Sequence, residues 1–181
     1  MKYDDVRTTI VVGSRGYLVY AFSIARFNLH TFTTEVEMPV QAERPEKAVF
    51  EKDMLYLWSD TTVVVYDIGK MMAVRRVDLQ PEFMKREQDF MVSPNGKTFV
   101  IASRYGVIEF FDAITGKSKA VLFPLAGGAG DYILIDKNFQ WTGTAFASEN
   151  MMHLKSGNTV LSPRDVAKYR TRKLLKALLV D

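Results

Sequence analysis

"SPNGKTFVIASRYGVIEFFDAITGKSKAVLF", residues 93–123, holds three short apolar runs separated by turn signals. Ser93-Pro94-Asn95-Gly96 opens the stretch, a break separates its first two runs, and Gly116-Lys117 leads into the third. Runs of this length, rich in Val, Ile and Phe and bounded by Gly, Asn and Pro, read as strands joined by tight turns. The stretch is a meander, and the fold depends on whether it occurs once or recurs.

It recurs. The second run closes on Phe111-Asp112, and upstream "TTVVVYD" (61–67) and "SIARFN" (23–28) close on Tyr66-Asp67 and Phe27-Asn28. Asn28 and Asp67 are 39 residues apart, Asp67 and Asp112 are 45 apart. At matching offsets before each close lies another run: "YLVYA" from Tyr17, "LYLW" from Leu55, "FVIAS" from Phe99. After each comes a further one: "TFTTEVEM", "MAVRRVDL" and "KAVLF". "TTIVVG" (8–13), "KAVFE" (47–51) and "DFMV" (89–92) supply each unit with an innermost strand. An Asx at a strand end can accept hydrogen bonds from backbone N–H groups two residues on, which gives Asn28, Asp67 and Asp112 a turn-fixing role. Four-strand units at this period are the mark of propeller blades. A fourth unit, drawn after Gly130 from "DYILID", "QWTGTAFA", "MMHL" and "NTVLS", is less regular and lacks the aromatic–Asx close. The expected fold is all-β and propeller-like: about four blades of antiparallel strands over 7–40, 46–79, 88–124 and 130–162, within 1–162, then a basic amphipathic C-terminal helix over 163–181.

Residues 46–123 resemble the blades of WD40-type or quinoprotein-type β-propellers. "SPNGKTFVIASRYGVIEFFDAITGK" is similar to the "spdG…la…g.i.lwd..tg" consensus of those repeats. The tail from Asp131 resembles a module that closes bacterial WD40-repeat proteins, often ones that also carry a caspase-like domain. "SPRDVAKYRTRKLLKALL" stands where that module ends. The departures are a Tyr66-Asp67 or Phe111-Asp112 in place of the WD dipeptide, no GH dipeptide, and no peptidase motif. The repeat, together with the missing catalytic groups, points to a non-enzymatic interaction scaffold; the alternative, which the tail's resemblance implies, is the C-terminal sensor or regulatory portion of a larger bacterial enzyme such as a caspase-like peptidase.

The composition agrees with a globular chain. Its 181 residues can bury roughly 70% of the unfolded surface, with 48% hydrophobic and 25% charged residues. A net charge of +3 is too small to call for nucleic acid. The lack of Cys excludes disulfides, thiolate metal sites and cysteine nucleophiles. "MKYDDVRTTIVVG" is no secretory signal, and no apolar stretch has the ~20 residues of a membrane span. The expectation is a cytoplasmic protein with no membrane span. A ring of four blades is small, and three arrangements fit: one chain closing alone, two chains completing a ring of eight, or a C-terminal piece of a larger propeller. The third is preferred, because a strand begins almost at residue 1.

Chemistry is sparse. His30 and His153 each fall in a predicted strand and read as structural; no nucleophile elbow or P-loop lysine occurs. "LAGGAGDY" (125–132) precedes a strand rather than a helix, so it reads as an inter-blade loop and not a phosphate cradle. No catalytic, cofactor or metal site is expected. Binding is expected on the long connection "PEFMKREQDF" (81–90), through Phe83 and Met84, and on the helix started by Ser162-Pro163 and Asp165. That helix sets Leu174 and Leu178 on an apolar face with Arg172 and Lys173 beside it. It either packs across blade edges or docks on a partner, with its cations steering it to an acidic surface. The partner is another protein chain, through self-association or a larger complex.

Overall fold

The computed structural model of the chain describes residues 6–12, 14–20, 22–41, 45–81, 87–125, 130–150, 155–156, 159–160, 167–171 and 174–179. They fall into two compact units, Met1–Gln80 with Ile114–Gly116, and Pro81–Ala113 with Lys117–Asp181.

The first unit holds two four-stranded antiparallel meanders. One is β1 (Val6–Val12), β2 (Arg15–Tyr20), β3 (Ser23–Asn28) and β4 (Thr34–Pro39). The other is β5 (Lys47–Glu51), β6 (Met54–Ser59), β7 (Thr62–Asp67) and β8 (Met72–Asp78). Strands pair strictly in chain order, because two- to five-residue turns leave a strand no neighbour but the one before it. In β6 and β7 four consecutive residues are buried, so these strands read as unbroken apolar runs covered on both faces. In β8 exposure alternates, as an edge strand with one wet face requires. Tyr17, Val19, Ile24 and Met38 pack with Leu55, Leu57, Val64, Tyr66 and Ile68 into one core.

The second unit repeats the meander and then departs from it. β9 (Glu87–Val92), β10 (Thr98–Ser103), β11 (Ile108–Asp112) and β12 (Ser118–Pro124) follow in order. All three meanders share an irregularity just before the closing Asx: between Arg26 and Phe27, Val65 and Tyr66, and Phe110 and Phe111. The last strand of each carries one extra residue there (Glu35, Val74, Lys119), as in a β-bulge, which bends and twists the strand.

Beyond Gly130 the structure corrects the sequence reading. β13 (Tyr132–Asp136) and β14 (Trp141–Gly143) open no fourth sheet; they hydrogen bond in series onto β12 and make the third sheet six-stranded. The strand expected through Ala147 stops at Gly143, and helix α1 (Ala145–Asn150) follows. Thr144 Oγ1 accepts the Ala147 N–H at 3.5 Å, the contact of an N-cap. Residues 151–154, expected as a strand, lie outside the described residues. β15 (Lys155–Ser156) and β16 (Thr159–Val160) form a separate two-stranded pair.

The single helix expected over 163–181 is interrupted. Arg170 bridges Trp141 in parallel, so the chain there leaves the helix, and helix α2 is described over Leu174–Leu179. The backbone groups on the open side of β14 need partners, and residues 169–171 supply them.

Candidate interaction surface

The turns after the closing Asx residues share one construction. Asn28 N–H donates to Thr33 O at 3.0 Å, Asp112 N–H donates to Lys117 O at 2.9 Å, and Asp67 pairs with Met72. In each, a five-residue step closes the turn. Asn28 Oδ1 accepts from His30 N–H at 2.8 Å and Thr31 N–H at 3.2 Å. Asp67 Oδ1 accepts from Lys70 N–H at 3.0 Å, and Lys70 Nζ stands 3.1 Å from Asp67 Oδ2. The Lys70 N–H, and after it the Lys70 ammonium, hold the Asp67 carboxyl below its ordinary value. His30 therefore lies in a turn and not in a strand, with its ring exposed; His153 is outside the described residues.

The fourth residue after each Asx has a left-handed backbone: Phe32 at φ 55°, Met71 at φ 53° and Gly116 at φ 69°. Only the third is a glycine, the residue that takes this conformation at no steric cost. Phe32 is also 82% exposed. Large exposed apolar side chains recur at turns: Phe22 and Ile114 in the first unit, Tyr105 and Phe139 in the second. Sequence reasoning missed Phe32, although its signal was present: a Phe where the equivalent position of the third repeat is Gly.

On the first meander, Glu35 gathers cations. Arg26 Nε lies 2.9 Å and Arg15 Nε 3.6 Å from Glu35 Oε2, the former off the hydrogen-bonding angle, and Asn28 Nδ2 donates to Glu35 Oε1 at 3.3 Å. Such partly exposed pairs contribute little to stability. Their effect is to tie the bulged residue of β4 to β2 and β3.

The tail is the other feature the sequence singled out. Tyr169 O accepts from Trp141 N–H at 2.9 Å, and Thr171 N–H donates to Trp141 O at 2.7 Å. The Arg170 guanidinium stands over the Trp141 ring, 5.3 Å from its centroid. Leu174 and Leu178, expected on a docking face, are buried with Val100, Phe110, Ala120 and Leu134. Thr98 Oγ1 donates to Leu178 O at 2.8 Å. The two leucines fasten the helix to the third sheet. Arg172, Lys173, Phe83 and Met84 lie outside the described residues. Asp112 closes β11. Among the described residues no group of three or more His, Asp or Glu is placed to hold a metal ion. No helix among them is long and apolar enough to cross a membrane.

No family model matches the chain. A human protein named NACHT and WD repeat domain-containing protein 2 is 31% identical over 119 residues, which are 62% of this chain and 6% of the relative. A chain of the mitotic checkpoint complex crystal structure superposes with a TM-score of 0.50 at 9% identity, over 75% of this chain and 46% of that one. In fold the chain resembles a WD40-type β-propeller. A chain of Kuenenia stuttgartiensis hydrazine synthase matches with a TM-score of 0.47 at 16% identity, over 75% of this chain and 47% of that one. The chain thus spans a small part of its WD-repeat relative and less than half of each of these two solved chains. What carries over to it is the all-β WD40-like architecture.

Proposed function

We propose that the chain is a non-enzymatic protein-interaction scaffold built on WD40-like propeller blades, in the cytoplasm, with a C-terminal helical tail docked on the third sheet. The observation that carries this reading is the thrice-repeated meander, each with a bulge and a turn at its closing Asx. Its likeness to a WD-repeat protein supports the same reading. A rigid set of sheets with variable turns offers the surface that binding needs, while its strands serve stability. The mitotic checkpoint complex is itself an assembly of proteins by its name, which agrees with a partner of that class. Contact is assigned to Phe83, Met84, Arg172 and Lys173, with Phe32 added from the turns.

The test is co-purification of the tagged full chain from its native cells, against Phe83→Ala/Met84→Ala and Arg172→Glu/Lys173→Glu variants of equal circular dichroism. A defined protein set that the variants lose is expected. Retention of the same set by both variants overturns the assignment.

A second reading makes the chain a sensor or regulatory part of a longer protein. The observation favouring it is that the WD-repeat relative is many times longer than the stretch it shares. A peptidase as the remainder rests on the resemblance of the tail alone. An immunoblot of native cells with antibody to residues 93–123 decides it: a band near 20.6 kDa removes this reading.

A further inference from the structure

The tail is held as a peptide ligand is held. Residues 169–171 add backbone hydrogen bonds to the open side of β14, and α2 lays Leu174 and Leu178 into an apolar groove of Val100, Phe110, Ala120 and Leu134. Strand addition and helix-in-groove docking are two modes by which separate chains recognise one another. Here both are used within one unit.

We propose that residues 167–179 exchange between copies, the tail of one chain docking on β14 and the Val100–Phe110–Ala120–Leu134 groove of another. The proposal stands on these contacts and does not need the scaffold reading. α2 has six residues, well short of the ~12–15 at which a helix begins to hold in water by itself. It is helical because the groove holds it, so folding of the segment and docking are one event. The groove has no means of distinguishing its own tail from an identical one. Only effective concentration favours the tail in cis, and that advantage is of millimolar order for a short connection. A tail that leaves exposes the groove and the open side of β14 to water, and the segment that fits both is the tail of a second copy. Exchange creates no new contact and loses none, which makes it a low-cost route to a dimer.

The probe is a fluorescein-labelled peptide of residues 167–181, titrated with the full chain and with the full chain carrying Leu174→Asp/Leu178→Asp. That variant unseats its own tail and leaves the groove intact, so it is expected to bind the peptide about ten-fold or more tighter than the wild type. Because the variant can fail to fold, wild-type chains are also followed by light scattering over rising concentration. Dimers that grow with concentration and dissolve on adding excess unlabelled peptide are expected. Two results overturn the proposal: monomers at every concentration, whatever the peptide does, and dimers that persist in excess peptide, which put self-association on another edge.

Discussion

At the scale of the residue, the repeated turn sets the same backbone problem three times and solves it once without cost. Gly116 meets it with no Cβ, and a Cβ there would collide with the Asp78 carbonyl oxygen. Gly116→Ala therefore combines a left-handed conformation with a clash, and is expected to destabilise by more than about 1–2 kcal/mol. Phe32 bears the conformational cost at an 82% exposed position, where its ring packs on little. Phe32→Gly relieves about 1–2 kcal/mol of local strain and adds about 0.5–1 kcal/mol of unfolded-state entropy, a net stabilisation of roughly 0.5–1 kcal/mol. Met71→Gly relieves the same strain but removes a side chain packed against the first-unit core, so no gain is expected. Urea denaturation of the three variants reads all three signs. Asp67 adds a pH dependence to its turn. Its carboxyl titrates below the ordinary value of 3.8, so its contribution to stability is complete above that value and fades as pH falls through the lowered one. The wild type should lose part of its urea midpoint between pH 6 and pH 3 that Asp67→Asn, still able to accept from Lys70, does not lose.

At the scale of the element, the tail decides between packing and docking by a stability measurement. Leu178 is 5% exposed, and Leu178→Ala is expected to cost about 2–4 kcal/mol. Lys176, on the open side of the same helix, should change stability by less than about 0.5 kcal/mol when replaced by Ala. Equal, small effects would mean that the helix does not rest on the sheet in solution. The apolar stripe of Leu174 and Leu178 was legible from spacing alone, but spacing does not say what covers a stripe. The first twelve strands were legible for a simpler reason. Most are short Val, Ile or aromatic runs between turn residues, and within each meander the two- to five-residue turns leave only one pairing. That constraint ends with each meander, and after Pro124 the choice between joining β12 and opening a new sheet rests on hydrogen bonds made across a seven-residue connection. α1 had a local signal that the strand reading passed over, the Thr144 cap before Ala145 and Ala147. The break at residues 169–171 had none, since Tyr169 and Thr171 interrupt the helix only because Trp141 offers them a backbone to pair with.

At the scale of the whole molecule, each of the two units holds a wholly buried leucine, Leu57 in the first and Leu134 in the second. If each unit opens as its own cooperative block, a cavity in one should leave amide exchange in the other unchanged. Leu57→Ala should then hasten exchange across β5–β8, and Leu134→Ala across β10–β13, each by an amount matching a loss of about 2–5 kcal/mol. If the two blocks open independently, the double variant should show the sum of both, within about 0.5 kcal/mol. Hydrogen exchange read by mass spectrometry resolves the two regions in one sample. Faster exchange in both units from either single variant would make the chain one cooperative block. In that case a partner seated on one sheet stabilises all of them, whereas separate blocks confine its effect to the unit it touches.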